Sequence, residues 1–321
     1  MKILYKPHYY SQQRQHEKKA KIYPVRMAME AQWYRNMGHT VYWDEAAPES
    51  VDRQIVEPEG LPFLSLPQPD RVFTYAKEYT SGNYKHLPGT HIMAASGCWW
   101  GKCEFCVEKG KKYEVRPVKD VIAEIAECKR LGFREIFDDS DTFPAGDWRL
   151  EFCRQLRPLD ITFSCNMRFG TLKDNDFLCL KYSGFRMLLY GLESANQFTL
   201  DRINKGINVN DALDELVKAS SYGLEPHIAV MFGYPWETDQ DAEHTLKVVQ
   251  FLLRKGFAKT AQASFYRPQL MKDGDKAHKK YIKRIYHAGF YPDFWINKII
   301  DIRSIDDIRY IWRGIKSWLG R

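Results

Sequence analysis

PHIAVMF (residues 226–232), TDQDAEHTLKVVQFLLRKG (238–256) and AQASF (261–265) are the stretch on which the fold turns. The first is an apolar run bounded by Gly223 and Gly233 and reads as a strand. Thr238 and Asp241 stand at capping-box spacing and open a long helix that runs through Leu253 to Gly256. Ala261 to Phe265 then reads as a second strand. A strand, a helix and a strand in this order form a βαβ unit, whose two strands lie parallel.

Read outward from this unit, the alternation repeats six times from residue 90 onward. Strands are expected at His91–Ala95, Glu135–Phe137, Ile161–Cys165 and Arg186–Tyr190, ahead of the two already quoted. Helices are expected from Pro117 to Gly132 (Val121, Ile122, Ile125 and Cys128 on one face), at Trp148–Leu156, at Asp174–Tyr182, and around Leu213, Leu216 and Val217 before Gly223. Strict alternation implies a parallel sheet, here an α/β fold of the partial (β/α)6 TIM-like barrel kind over residues 85–270. Residues 1–84 form a short α/β segment and linker: strand Lys2–Lys6, helix Pro24–Met37 closed by Gly38, and strand Thr40–Trp43 ending at Asp44. Pro48, Pro58, Pro62, Pro67 and Pro69 then mark a crossing linker rather than more sheet. Residues 271–321 form a basic, aromatic helical tail.

The chain has 321 residues and is 44% apolar, enough for a substantial buried core. A mean hydropathy of −0.50 and the lack of any run near 18 apolar residues exclude a spanning helix. Met1 to Lys19 turns polar and basic too soon for a secretory leader, so a cytoplasmic protein is expected. The formal charge of +7 is concentrated at the ends. Residues 267–321 carry 13 Lys and Arg against 6 Asp, and residues 1–22 carry 6 against 1. Such ends suit nucleic acid, an anionic membrane or an acidic peptide, or form a solvated helical face interrupted by Asp301, Asp306 and Asp307.

In barrels of this kind the chemistry collects where strands end. The strand ends here offer Cys98, Cys103 and Cys106; Asp138, Asp139 and Asp141; Asn166 and Arg168; Glu193; Gly233 and Tyr234; and Tyr266 and Arg267. The sharpest signal is Ser96-Gly97-Cys98-Trp99-Trp100-Gly101-Lys102-Cys103-Glu104-Phe105-Cys106. Three thiolates on a short loop can ligate three irons of a 4Fe-4S cluster and leave the fourth open. The alternatives are zinc and three unrelated core thiols. Cys128, Cys153, Cys165 and Cys179 sit singly, so no fourth ligand at finger spacing is at hand.

Here the sequence resembles the radical S-adenosylmethionine (radical SAM) superfamily, in its branch with a cobalamin-binding domain before the barrel. Besides the cysteine loop, the matching stretches are Phe-Asp-Asp-Ser-Asp-Thr-Phe (137–143), Asn-Met-Arg (166–168), Tyr-Gly-Leu-Glu-Ser-Ala-Asn (190–196), Asn-Lys-Gly (204–206) and Met-Phe-Gly-Tyr-Pro-Trp-Glu-Thr (231–238). The resemblance covers residues 85–320 well and the first 45 weakly. Four residues rather than the family's usual three separate Cys98 from Cys103, which bears on the subfamily more than on the cluster.

The resemblance implies a 4Fe-4S cluster on Cys98, Cys103 and Cys106. S-adenosylmethionine would chelate the open iron and be cleaved reductively to a 5′-deoxyadenosyl radical that takes hydrogen from a substrate. It implies cofactor contacts from Phe105, Glu193 and Lys205; Asn166, beside the lumen by the strand argument, and Gly233, read as a close backbone approach to the adenine, are further expected contacts. Substrate or proton-transfer roles fall to Asp139, Asp141, Arg168 and Tyr266. The expected partners are a small-molecule or peptide substrate and a one-electron reductant such as flavodoxin or ferredoxin, with nucleic acid not favoured. No Asp-x-His-x-x-Gly motif is found and the N-terminal segment is short, so cobalamin is not expected. The rival readings are a zinc-stabilised nucleic-acid-binding module and a cobalamin-dependent radical SAM methyltransferase. The tail from Tyr281 to Leu319 resembles the branch's helical tail. It is read as a lid on the barrel's open side, ahead of a basic, aromatic face for peptide, nucleic acid or lipid.

Overall fold

A computed structural model describes residues 1–7, 22–43, 50–266 and 276–319. The basic stretch 8–21, Asp44, Pro48, Arg267 and the side chains of Tyr286 and Trp318 lie outside the described residues. The chain starts with β1 (Lys2–Tyr5), α1 (Val25–Asn36), β2 (Thr40–Trp43) and β3 (Arg53–Ile55). It continues with β4 (Gly89–Ile92), β5 (Ala95–Ser96), β6 (Glu114–Val115), α2 (Val118–Arg130), β7 (Glu135–Asp138), α3 (Asp147–Leu156), β8 (Thr162–Met167) and α4 (Asp174–Tyr182). Next come β9 (Phe185–Glu193), α5 (Gln197–Arg202), α6 (Val209–Ser221), β10 (Glu225–Phe232), α7 (Asp239–Lys255) and β11 (Thr260–Phe265). The tail is α8 (Lys276–Ile285), α9 (Pro292–Ile300) and α10 (Ile305–Leu319).

Six strands form one wholly parallel sheet in the order β11-β10-β9-β8-β7-β4, curled into a half-barrel. Two-residue alternation sorts its side chains. Ile92, Ile136, Phe163, Cys165, Leu188, Tyr190, Ile228 and Val230 join the main core. Their neighbours His91, Phe137, Met187 and Leu189 turn inward with Tyr84, and fill the lower barrel. Thr238 caps α7: its hydroxyl accepts from Asp241 N at 3.2 Å, and Asp241 Oδ2 accepts from Thr238 N at 3.0 Å.

Two expectations need correction. The proline-rich stretch is not only a linker, because β3 lies in it and pairs parallel with β1, giving a second sheet in the order β2-β1-β3. Three residues between prolines carry too little periodicity to signal a strand. The first barrel strand ends at Ile92, not Ala95; Ala95 and Ser96 leave the sheet and pair antiparallel with Glu114 and Val115. That hairpin closes the base of the cysteine loop.

Buried Glu124 of α2 ties these parts together. It accepts from Arg71 at 2.6 Å and Arg116 at 2.6 Å, while the two arginines also reach the carbonyls of His91 and Met93 at 2.9 Å each. Burial pushes the Glu124 carboxyl up, but the two guanidinium groups outweigh it and hold the pKa below the ordinary range. The tail splits its work. α8 packs on α7, β10 and β11, with Tyr281 stacked on Phe232 at 5.7 Å. α10 instead lies beneath the strand N-termini, where Asp306 meets Arg134 at 2.7 Å and His86 at 3.1 Å.

Candidate functional site

The cysteine loop is held at its start by the acids that follow β7. Asp141 Oδ2 accepts from Gly97 N at 2.9 Å, and Ser140 Oγ accepts from Ala95 N at 2.7 Å. Gly97 has φ +78°, and a Cβ there would come within 2.5 Å of the Lys112 carbonyl oxygen, so the loop closes only around glycine. Asp138 lies beneath. One carboxylate oxygen accepts from Ala94 N at 2.7 Å and from Ser140 Oγ at 2.9 Å. The other is buried without a partner among the described residues. Burial pushes this carboxyl up to about 7.

Opposite, the loop docks on residues 203–206. Glu104 N donates to the Ile203 carbonyl at 2.9 Å, and Trp100 Nε1 to the Asn204 carbonyl at 2.8 Å. Arg168 wedges between the two segments. Its guanidinium stands 4.4 Å from the Trp100 ring centre and 5.4 Å from that of Trp99, and donates to the carbonyls of Lys205 and Gly206. It also lies near the Cys103 thiol. Burial lowers the pKa of Arg168, with Cys103 and Cys98 opposing that shift.

The three thiols differ in setting. Cys103 is buried, and Cys98 and Cys106 are half-buried. Desolvation raises the Cys103 pKa, and Lys205 and Arg168 pull it back. The Cys106 thiol is likewise raised by burial, and Glu108 N donates to its sulfur at 3.4 Å. Cys98 Sγ lies 3.1 Å from the Thr142 hydroxyl. Among the described residues no three His, Cys, Asp or Glu side chains gather at one point as ligands of a single ion. A four-iron cluster asks something else of its loop: one thiolate at each of three corners, with hydrogen bonds to the sulfurs and nearby positive charge. Thr142 beside Cys98, the Glu108 amide on Cys106, and Arg168 and Lys205 near Cys103 supply the hydrogen bonds and the positive charge of that demand.

Beside the thiols, β9 ends in a polar pair. Lys205 Nζ donates to Glu193 Oε1 at 2.7 Å, with both side chains largely buried. Glu193 has φ +66°, a left-handed conformation costly for a residue with a Cβ and one that tends to persist where function needs it. A Cβ on Gly191 would fall 2.3 Å from Glu193 Oε1 and 2.9 Å from Lys205 Nζ, so that glycine makes room for the pair. The Lys205 ammonium lies 5.7 Å from the Phe105 ring centre. Phe105 in turn packs against a cluster of Leu200, Ile203, Met231, Tyr234 and Tyr266. Tyr266 lies 4.8 Å from Tyr234 and 5.9 Å from Trp236, centre to centre.

The remaining expected residues spread around the rim. Gly233 (φ +86°) gives its N–H to Glu237 Oε2 at 2.6 Å, which leaves its carbonyl for other contacts. Burial pushes the Glu237 carboxyl up to about 7. Asn166 donates to the Ser140 carbonyl at 2.9 Å. Asp139 is exposed at the end of β7, and desolvation by its surroundings, with Asp138 and Asp141 beside it, raises its pKa to about 7. The structure thus gathers Cys98, Cys103, Cys106, Phe105, Arg168, Glu193 and Lys205 at one mouth. Asp141 serves the loop, Asp139 and Asn166 stand on the β7–β8 side, and Tyr266 sits in the aromatic wall. Sequence reading gave no role to Trp100, Thr142, Gly191, Gly206 and Glu237. Each lies in one of the matching stretches quoted above, which was the signal that could have found it.

Residues 92–249 match the radical SAM superfamily. An uncharacterized methyltransferase of Pyrococcus horikoshii is 28% identical over 173 residues, 52% of this chain and 38% of that protein. Bacteriochlorophyllide d C-8(2)-methyltransferase of Chlorobaculum tepidum is 27% identical over 195 residues, 56% of this chain and 42% of that protein. The chain therefore spans about two fifths of the length of these relatives. Among solved structures, the radical S-adenosylmethionine methyltransferase TsrM of Kitasatospora setae, with cobalamin and a [4Fe-4S] cluster bound, superposes with a TM-score of 0.52. It shares 15% identity and covers 64% of this chain and 40% of its own, which shows a common fold.

Proposed function

The chain belongs to the radical SAM superfamily, and on that premise we propose that it carries a 4Fe-4S cluster on Cys98, Cys103 and Cys106 and uses S-adenosylmethionine to modify a small molecule or peptide. With both bound, the chemistry supplied is one-electron cleavage of the sulfonium C–S bond to a 5′-deoxyadenosyl radical. Arg168 and Lys205 place positive charge beside Cys103 and a carboxylate of the cofactor. Glu193, held by Lys205, offers an acceptor to the ribose or amino group, and Phe105 and Met231 offer an apolar wall to the adenine. Asp139, exposed after β7, is the acid for substrate contact, with Asn166 bound to the neighbouring Ser140 carbonyl and Tyr266 in the aromatic wall as further contacts, and Asp141 orders the loop. A peptide or secondary metabolite is the favoured substrate class, with a flavodoxin- or ferredoxin-type electron donor.

The observation that carries this reading is the convergence of Arg168, Glu193 and Lys205 from separate elements onto Cys103, with Lys205 also over Phe105 of the loop itself. A nucleic-acid-binding zinc module has no use for it. The test is anaerobic reconstitution, then iron, sulfide and zinc analysis, and assay for 5′-deoxyadenosine with dithionite and S-adenosylmethionine. Four irons with deoxyadenosine, both lost in Cys103→Ala, are expected. One zinc without iron or cofactor cleavage would overturn the proposal.

A second reading, corrinoid-dependent methyl transfer, is favoured by one observation. The N-terminal segment continues into β3, so its parallel order β2-β1-β3 is how a doubly wound domain begins. Corrinoid kept by the protein through gel filtration would support this reading, and complete loss would dismiss it.

A further inference from the structure

The last two helices are built inside out. α9 turns its polar residues toward the barrel: Asp293 pairs with Arg254 at 2.9 Å, and Asn297 donates to the Asp293 carbonyl at 2.9 Å and to that of Arg254. α10 does the same. Asp306 meets Arg134 and His86, Asp307 pairs with Lys85, and Arg313 donates to the Tyr84 carbonyl at 2.8 Å. The turn between the helices sends Asp301 to Lys259. The opposite faces carry Ile296, Ile299, Ile300, Ile305, Ile308 and Trp312, each 49–64% exposed. A surface helix ordinarily buries its apolar stripe and exposes its charges. Here the stripe follows the chain through residues 296–312 in the open, and large exposed apolar patches mark interaction sites.

Charge says what covers it. Asp293, Asp301, Asp306 and Asp307 are the only acids of residues 276–319, and all four are drawn to cations of the barrel or its helices. The exposed cations Arg303, Arg309 and Lys316 lie beside the isoleucines, Arg309 at 3.6 Å from Asp306, which it shares with Arg134 and His86, and Lys316 at 5.5 Å from the Trp312 ring centre. Apolar side chains and a tryptophan rimmed by cations suit the headgroup region of an anionic bilayer. A second copy of the chain fits poorly, because a twofold contact would bring these cations against their own copies. At 15 residues, α10 is too short to span and would lie in the interface.

We propose that the outer face of α9 and α10 docks the protein on an anionic lipid surface. Because α10 sits beneath the strand N-termini, docking leaves the cysteine-loop mouth pointing away from the membrane, toward a substrate in solution. The test is flotation of the reconstituted full chain with phosphatidylcholine vesicles, alone or with phosphatidylglycerol, at low and high salt. A preference for the anionic vesicles of about a hundredfold is expected, about fivefold for each of three cations, and it should fade with salt. Arg309→Glu/Lys316→Glu should remove the preference, and Ile299→Asp/Ile300→Asp should abolish binding, with cluster absorbance and deoxyadenosine formation unchanged. No vesicle binding, or binding indifferent to both variants, would overturn the proposal. So would a dimer in light scattering that Ile299→Asp/Ile300→Asp dissolves, or capture of an acidic protein that competes with the vesicles. Every one of these readouts is separate from cluster assembly, so failure here leaves the radical SAM assignment standing.

Discussion

Gly206 has φ +64°, and a Cβ on it would fall 2.1 Å from Cζ2 of Trp100. One hydrogen in place of a methyl group is what lets the indole seat and the cysteine loop close. Gly206→Ala is therefore expected to unseat Trp100 and lower iron per chain after reconstitution, with the circular dichroism of the barrel unchanged; full iron occupancy would contradict this. His91 makes a different residue-scale prediction. It is buried against Tyr84, and burial, then Arg71, lowers its pKa to about 3, below its value of about 6.5 in the unfolded chain. The folded state thus keeps it neutral, and its contribution to stability is present above about 6.5 and lost as pH falls toward about 3. Between about pH 7 and pH 4.5, the wild type should lose more stability than His91→Gln in urea titrations.

At the scale of elements, α7 depends on its first turn. Thr238 satisfies the Asp241 amide, and Asp241 satisfies the Thr238 amide. Thr238→Ala should cost about 1 kcal/mol, seen as a lower urea midpoint with an unchanged slope. The cysteine loop is the opposite kind of element. It has little regular structure and takes its shape from neighbours: Asp141 and Ser140 at one end, residues 203–206 at the other, and Arg168 between. A single substitution there is expected to move the site more than the fold.

For the whole molecule, the base of the barrel is a charge lock. Arg186 donates to Glu135 at 2.6 Å and to Glu225 at 2.6 Å, and Lys85 donates to Glu225 at 2.9 Å. Burial opposes ionisation of Glu225, but Arg186 and Lys85 overcome it and hold its carboxyl down to about 2. Tyr310 of α10 covers the guanidinium at 5.6 Å, so the tail is part of the lock. Arg186→Met leaves Glu135 buried without its cation and should cost about 3–5 kcal/mol in urea denaturation. Arg186→Met/Glu135→Gln should recover part of that loss, because what remains is hydrogen-bonding rather than charge.

Local spacing was enough to read the alternating sheet, the Thr238 cap and the three cysteines, because each is set by residues a few positions apart. β3 was not legible, since three residues show no period and become a strand only when β1 supplies hydrogen bonds. Glu193 and Arg168 were legible as strand-end candidates and Lys205 through its Asn-Lys-Gly match, but their convergence on Cys103 was not. It depends on Gly191 and Gly206 admitting neighbours 14 and 106 positions away, Lys205 and Trp100. The inverted faces of α9 and α10 belong to the same class. Sequence by itself determined a basic, aromatic, helical tail; only the packing of its acids against Lys85, Arg134, Arg254 and Lys259 decided that the apolar side faces outward. The physical reason is that periodicity reports which residues share a face, whereas burial and charge pairing across long sequence separations decide where that face points.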